Sequence, residues 1–80
     1  MLILATHKVE AVSAKVAFST IMLLDQIKMK NLPPGYKCRY IFPSSGKLSV
    51  SLWDGPDLDS LLDWLNANIN VECEHEVLEV

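Results

Sequence analysis

The sequence predicts a small α+β fold. Two segments near the C-terminal end, Lys47 to Trp53 and Val71 to Val80, alternate in character every second residue. Between them, Leu58, Leu61, Leu62, Leu65 and Ile69 fall on one helical face. A longer stretch rich in Ala, Leu, Met and Lys follows an apolar N-terminal run. A period of two marks strands and a period near 3.6 marks helices, so the two patterns together place both kinds of element in one chain.

Taken in order, Met1 to Thr6 is the first predicted strand, apolar on both faces through Leu2 and Leu4 on one and Ile3 and Ala5 on the other. Such a strand is normally covered on both sides. Val9 to Lys30 favours helix by composition. One stripe carries Val9, Val12, Val16, Leu23 and Ile27, and a second carries Ala14, Phe18, Ile21 and Met22. One stripe should meet the sheet, and the other is a second internal contact or an association surface. Asn31-Leu32-Pro33-Pro34-Gly35 ends this helix, because prolines just past a helix end cannot continue it.

Tyr36 to Phe42 is the second predicted strand, with Tyr36, Cys38, Tyr40 and Phe42 on one face and Lys37, Arg39 and Ile41 on the other. Pro43-Ser44-Ser45-Gly46 has the length of a hairpin connection to the third strand, Lys47 to Trp53. The second helix opens after Asp54-Gly55, with Pro56 tolerated in its first turn and Asp57 and Asp59 complementing its dipole. It ends near Asn66-Ala67-Asn68, and the last strand runs from about Asn70 to Val80. There Val71, Cys73, His75 and Val77 share one face and Glu72, Glu74 and Glu76 the other, which Leu78 and Val80 then join. That change of character implies an apolar neighbour at the strand's end, or a bulge.

The order strand, helix, strand, strand, helix, strand is the split βαβ, or ferredoxin-like, arrangement: a four-stranded antiparallel sheet with two helices on one face. Leu48, Val50 and Leu52 project one way from the third strand and Trp53 the other. The uncovered face therefore needs a partner, and two copies packed face to face would supply it.

Eighty residues make a single domain over 1–80, and so small a domain has a thin margin of stability. A net charge of −3 argues against nucleic acid, and no run reaches the length of a membrane span. Two cysteines do not make a secreted disulfide scaffold, so a cytoplasmic protein is expected.

Leu32-Pro33-Pro34-Gly35, Leu52-Trp53-Asp54, Asp59-Ser60-Leu61-Leu62-Asp63-Trp64-Leu65 and the closing Glu74-His75-Glu76-Val77-Leu78-Glu79-Val80 resemble small, mostly uncharacterised bacterial domains of the dimeric α+β barrel superfamily. The likeness covers roughly residues 32–80. It implies a ferredoxin-like protomer, a barrel-like homodimer and a pocket between sheet and helices. The superfamily holds cofactor-free monooxygenases, isomerases, haem-linked enzymes and proteins of no known activity, and fold alone does not select among them.

No P-loop, dinucleotide fingerprint or nucleophile motif occurs, and no cofactor is called for. The leading expectation is a homodimeric binding or assembly module. The alternative is a cofactor-independent isomerase or oxygenase acting on a small apolar ligand. Its candidate catalytic residues are His7, Tyr40, Asp54 and His75. Each has a simpler structural role: His7 as an edge histidine just past the first strand, His75 as one satisfied within the sheet, Asp54 as a turn or cap, and Tyr40 as a cavity or dimer contact. Cys73 and His75 share a strand face, yet two soft ligands fall short of a metal site, and none is expected. A buried free thiol is the default for Cys38 and for Cys73, with an approach of the two across the sheet left open.

Overall fold

A computed structural model describes residues 1–8, 13–42, 48–69 and 73–80, with side chains of the first helix described from residue 21 onward. The elements run β1 (Leu2–Lys8), α1 (Ser13–Lys28), β2 (Lys37–Phe42), β3 (Leu48–Asp54), α2 (Leu58–Asn68) and β4 (Glu74–Glu79). The predicted hairpin at Pro43–Gly46, the start of the first helix at Val9 and the residues 70–72 before β4 lie outside the described residues.

The strands form one open antiparallel sheet in the order β2-β3-β1-β4. β1 and β2 are therefore parallel with β3 between them, and β3 and β4 are parallel with β1 between them. Each helix is the crossover of one of these split pairs. The α+β class, the single antiparallel sheet and the two helices are as the sequence predicts.

The inner face of the sheet packs on the helices. Ile3 and Ala5 of β1 and Trp53 of β3 are fully buried with Leu23 of α1, Leu61 and Leu65 of α2, and Ile69 just past α2. Leu23 and Ile27 of the first α1 stripe meet this core, as does Met22 from the second, while Ile21 stays exposed. In β3 the serines face inward: Ser49 and Ser51 are buried, and Leu48, Val50 and Leu52 point to the outer face.

The ends of the helices follow backbone chemistry. α1 closes through Asn31 N–H to Gln26 C=O (3.0 Å) and Lys30 N–H to Ile27 C=O (3.1 Å), with Lys30 at φ 55°. This is a Schellman closure with a lysine where glycine is usual. α2 begins at Leu58, later than the sequence implies, and its cap is Asp57, whose Oδ1 accepts from Ser60 N–H at 2.7 Å. Pro56 stands outside the helix, because Gly55 is still pinned to the residue before β1, its N–H donating to Met1 C=O at 3.0 Å. Gly55 also lies flat against the Tyr36 ring, where a Cβ would collide.

Two further expectations change. β1 continues past Thr6 to Lys8, because His7 and Lys8 find partners on both β3 and β4. β2 does not alternate strictly: its pairing with β3 shifts between Cys38 and Tyr40, making Arg39 a bulge residue. Tyr36, Cys38 and Ile41 therefore pack against the core, whereas Tyr40 and Phe42 turn to the outer face. β4 pairs regularly with β1 from Glu74 to Glu79, and Leu78 lies opposite Leu4, the apolar neighbour that its position implied.

Candidate functional site

Two histidines distant in sequence meet inside the molecule. His7 on β1 is the direct cross-strand partner of His75 on β4, and both point inward. His7 is 3 % exposed and His75 8 %. Their Nδ1 atoms are 2.7 Å apart and the rings stand edge to face with centroids at 4.9 Å. His75 Nε2 lies 2.6 Å from the Ile69 carbonyl, and His7 Nε2 lies 2.7 Å from Ser51 Oγ. The Trp53 indole N–H donates to the same Ser51 Oγ at 2.7 Å.

These contacts fix where the protons sit. A carbonyl only accepts, so His75 carries its proton on Nε2, and its Nδ1 accepts. His7 must then donate from Nδ1, leaving its Nε2 to accept from the Ser51 hydroxyl. Ser51 in turn accepts from Trp53. One directional chain, Trp53 to Ser51 to His7 to His75 to Ile69, satisfies each of these groups with both imidazoles neutral. Burial, and then the neighbouring His75, lower the His7 pKa from 6.5 to about 4. Burial also lowers that of His75, opposed by its bond to the Ile69 carbonyl.

Serine, imidazole and orienting group also describe an activated nucleophile. Here Ser51 is fully buried and accepts the indole N–H, so a substrate carbonyl has no approach to it. The chain ties β1, β3, β4 and the end of α2 together. Ser51 carries no signal in the sequence beyond a small polar residue in an alternating strand; only the pairing of β1 with β3, which sets it opposite Ala5 and diagonal to His7, reveals it.

The other two candidates stand on the opposite side of the sheet. Asp54 is not the cap of α2, which is Asp57: its Oδ2 accepts from Arg39 Nη2 at 2.8 Å, and that bond foremost holds its carboxyl below the usual range. Tyr40 is 60 % exposed on the outer face, stacked on Phe42 at 5.8 Å. Beside it, a groove of about 320 Å³ runs between α1 and β2, lined by Leu24, Ile27, Cys38, Arg39, Tyr40 and Ile41. Burial pushes the Cys38 thiol up to about 11, which makes it a poor nucleophile near neutral pH. Cys38 sits on β2 and Cys73 beside β4, the two opposite edges of the sheet, so the pairing left open by the sequence does not form. No cluster of three His, Cys, Asp or Glu able to hold a metal occurs among the described residues.

The outer face has a different character. Tyr40, Leu52, Leu4 and Leu78 lie side by side across all four strands, one complete apolar row. Beside it on one side run Phe42, Val50, Thr6 and Glu76, then Leu48, Lys8 and Glu74. On the other side run Lys37, Asp54, Leu2 and Val80. Among these, Leu2, Tyr40, Phe42, Leu48, Leu78 and Val80 are exposed large apolar residues.

No family model, curated protein or solved structure matches the chain. No helix among the described residues is long and apolar enough to cross a membrane.

Proposed function

We propose that this chain is a self-associating binding or assembly module, a homodimer closed through the outer face of its sheet. Its protomer would then be a ferredoxin-like unit of the dimeric α+β barrel kind. The observation that carries this is the apolar row Tyr40, Leu52, Leu4 and Leu78, which crosses the whole sheet with neither helix over it. On and beside that row Leu2, Tyr40, Phe42, Leu48, Leu78 and Val80 are all exposed, and a contiguous exposed apolar face of this kind marks an interaction site.

A catalytic role gains less support. His7 and His75 spend their nitrogens on each other, on Ser51 and on Ile69, and Asp54 is engaged by Arg39. A reducing, cytoplasmic setting fits two thiols held on opposite edges of the sheet.

Sedimentation equilibrium at micromolar concentration tests the reading. The expected result is a dimer for the native chain and a folded monomer for Leu4→Glu, with the near-ultraviolet signal of buried Trp53 unchanged. A native chain that stays monomeric up to hundreds of micromolar overturns it.

A further inference from the structure

The outer face is not uniformly apolar, and the placement of its charges is directional. The apolar residues form a diagonal band. It starts at the corner of Leu48, Val50 and Phe42, passes through Leu52 and Leu4 with Tyr40 flanking it on β2, and ends at Leu2, Leu78 and Val80. The two corners off this diagonal are charged with opposite sign. One, at the start of β2, holds Lys37, Arg39 and Asp54, with the Met1 ammonium 3.9 Å from the Asp54 carboxylate, a net charge of +2. The other, where β1 ends and β4 begins, holds Lys8, Glu74 and Glu76, a net charge of −1. The acidic corner is also concave: a recess of about 170 Å³ opens there, lined by Thr6, Lys8, Leu48, Glu74 and Glu76. At the basic corner the bulge adds Arg39 to the edge strand, and its guanidinium lies on the outer-face carboxylate of Asp54.

A face-to-face dimer has a two-fold axis lying between the sheets, and each choice of axis pairs the corners differently. An axis along the strands sets each charged corner over apolar residues of the partner, as does an axis across them. An axis along the other diagonal sets each corner on its own copy, glutamate on glutamate. Only an axis along the apolar band lays that band on itself and each basic corner over the partner's acidic recess.

Resting on the self-association proposed above, we propose that this last arrangement is the one the chain adopts: a second copy docks with its Lys37 and Arg39 against Glu74 and Glu76 of the first, and reciprocally. The recognised partner is thus the same chain in one orientation, with the strands of the two sheets crossing nearer to perpendicular than aligned. Buried apolar area supplies the affinity, and the corner charges select the register.

Charge exchange tests the arrangement. The variant Glu74→Lys/Glu76→Lys presents two basic corners, and Lys37→Glu/Arg39→Glu presents two acidic ones. Each alone is expected to dimerise roughly tenfold or more weakly than the native chain. Mixed in equal amounts they are expected to recover near-native affinity as a heterodimer, seen by sedimentation with one variant fluorescently labelled. If the second variant fails to fold without the Arg39–Asp54 ion pair, Lys37→Glu alone takes its place, with partial recovery expected. A native dimer whose two variants associate as tightly as it does, or whose variants do not recover on mixing, overturns the orientation and leaves self-association standing. A native chain that does not dimerise overturns both.

Discussion

The two faces of the sheet are built from the same strands, residue by residue in alternation, yet they solve opposite problems. On the inner face, Ile3, Ala5 and Trp53 meet the helices, and the buried polar groups close on one another in the chain from Trp53 to Ile69. No buried side-chain nitrogen or oxygen among the described residues lacks a partner. On the outer face, Leu4, Val50 and Leu52 are only half-buried, and Tyr40, Phe42 and Leu78 are exposed. The inner face is complete within one chain, and the outer face is the one that the proposed second copy would cover. A small domain with a limited core can thus place part of its stability in its association.

Mutation should separate the two. The largest effect is expected from Trp53→Ala, which empties the centre of the inner face and removes the donor to Ser51; a loss of about 3–5 kcal/mol in denaturant unfolding is expected. Leu52→Ala, the neighbour that points outward, should cost the monomer roughly 1 kcal/mol or less while weakening the dimer. Equal losses from the two would erase the distinction between the faces.

The next effect is pH. The His7 pKa falls from 6.5 to about 4 on folding, so the unfolded chain binds the proton more readily. The stability this group contributes is whole above about pH 6.5 and is lost as the pH falls from there to about 4, a span worth about 3 kcal/mol. Urea midpoints across that range should drop accordingly. In His7→Phe the slope should shrink to what His75 and, at the acid end, Asp54 and Asp57 supply, with a loss at neutral pH of about 1–3 kcal/mol because His75 Nδ1 and Ser51 lose their partner. A slope unchanged in that variant would contradict the neutral chain.

The smallest expected effect is a gain. Lys30 closes α1 with φ 55°, a conformation glycine adopts without strain. Lys30→Gly should raise stability by roughly 0.5–1 kcal/mol and leave both faces, and the dimer, as they are. It serves as a control that lies on neither face.

The element order and the existence of an uncovered apolar face were legible because they rest on local periodicity. Leu48, Val50 and Leu52 alternate against Trp53 whatever their neighbours are. What depended on long-range pairing was not legible. Nothing local to Arg39 announces the bulge that sends Cys38 and Tyr40 to opposite faces. His7 and His75 are 68 positions apart, and their contact exists only because β4 pairs with β1 in one register. The inward serines are the clearest case: Ser51 is polar and small, so it reads as solvent-facing. Its burial is made favourable by two partners, Trp53 and His7, that come from its own strand and from the next.

The contrast between the faces is tested most directly by isotope-filtered nuclear Overhauser measurements on an equal mixture of carbon-13-labelled and unlabelled chains. Contacts between copies are expected from the methyls of Leu4, Leu52 and Leu78 and from the rings of Tyr40 and Phe42, with none from Leu61, Leu65 or Ile69. Intermolecular contacts absent from the outer face, or found instead at the helices, would contradict the account.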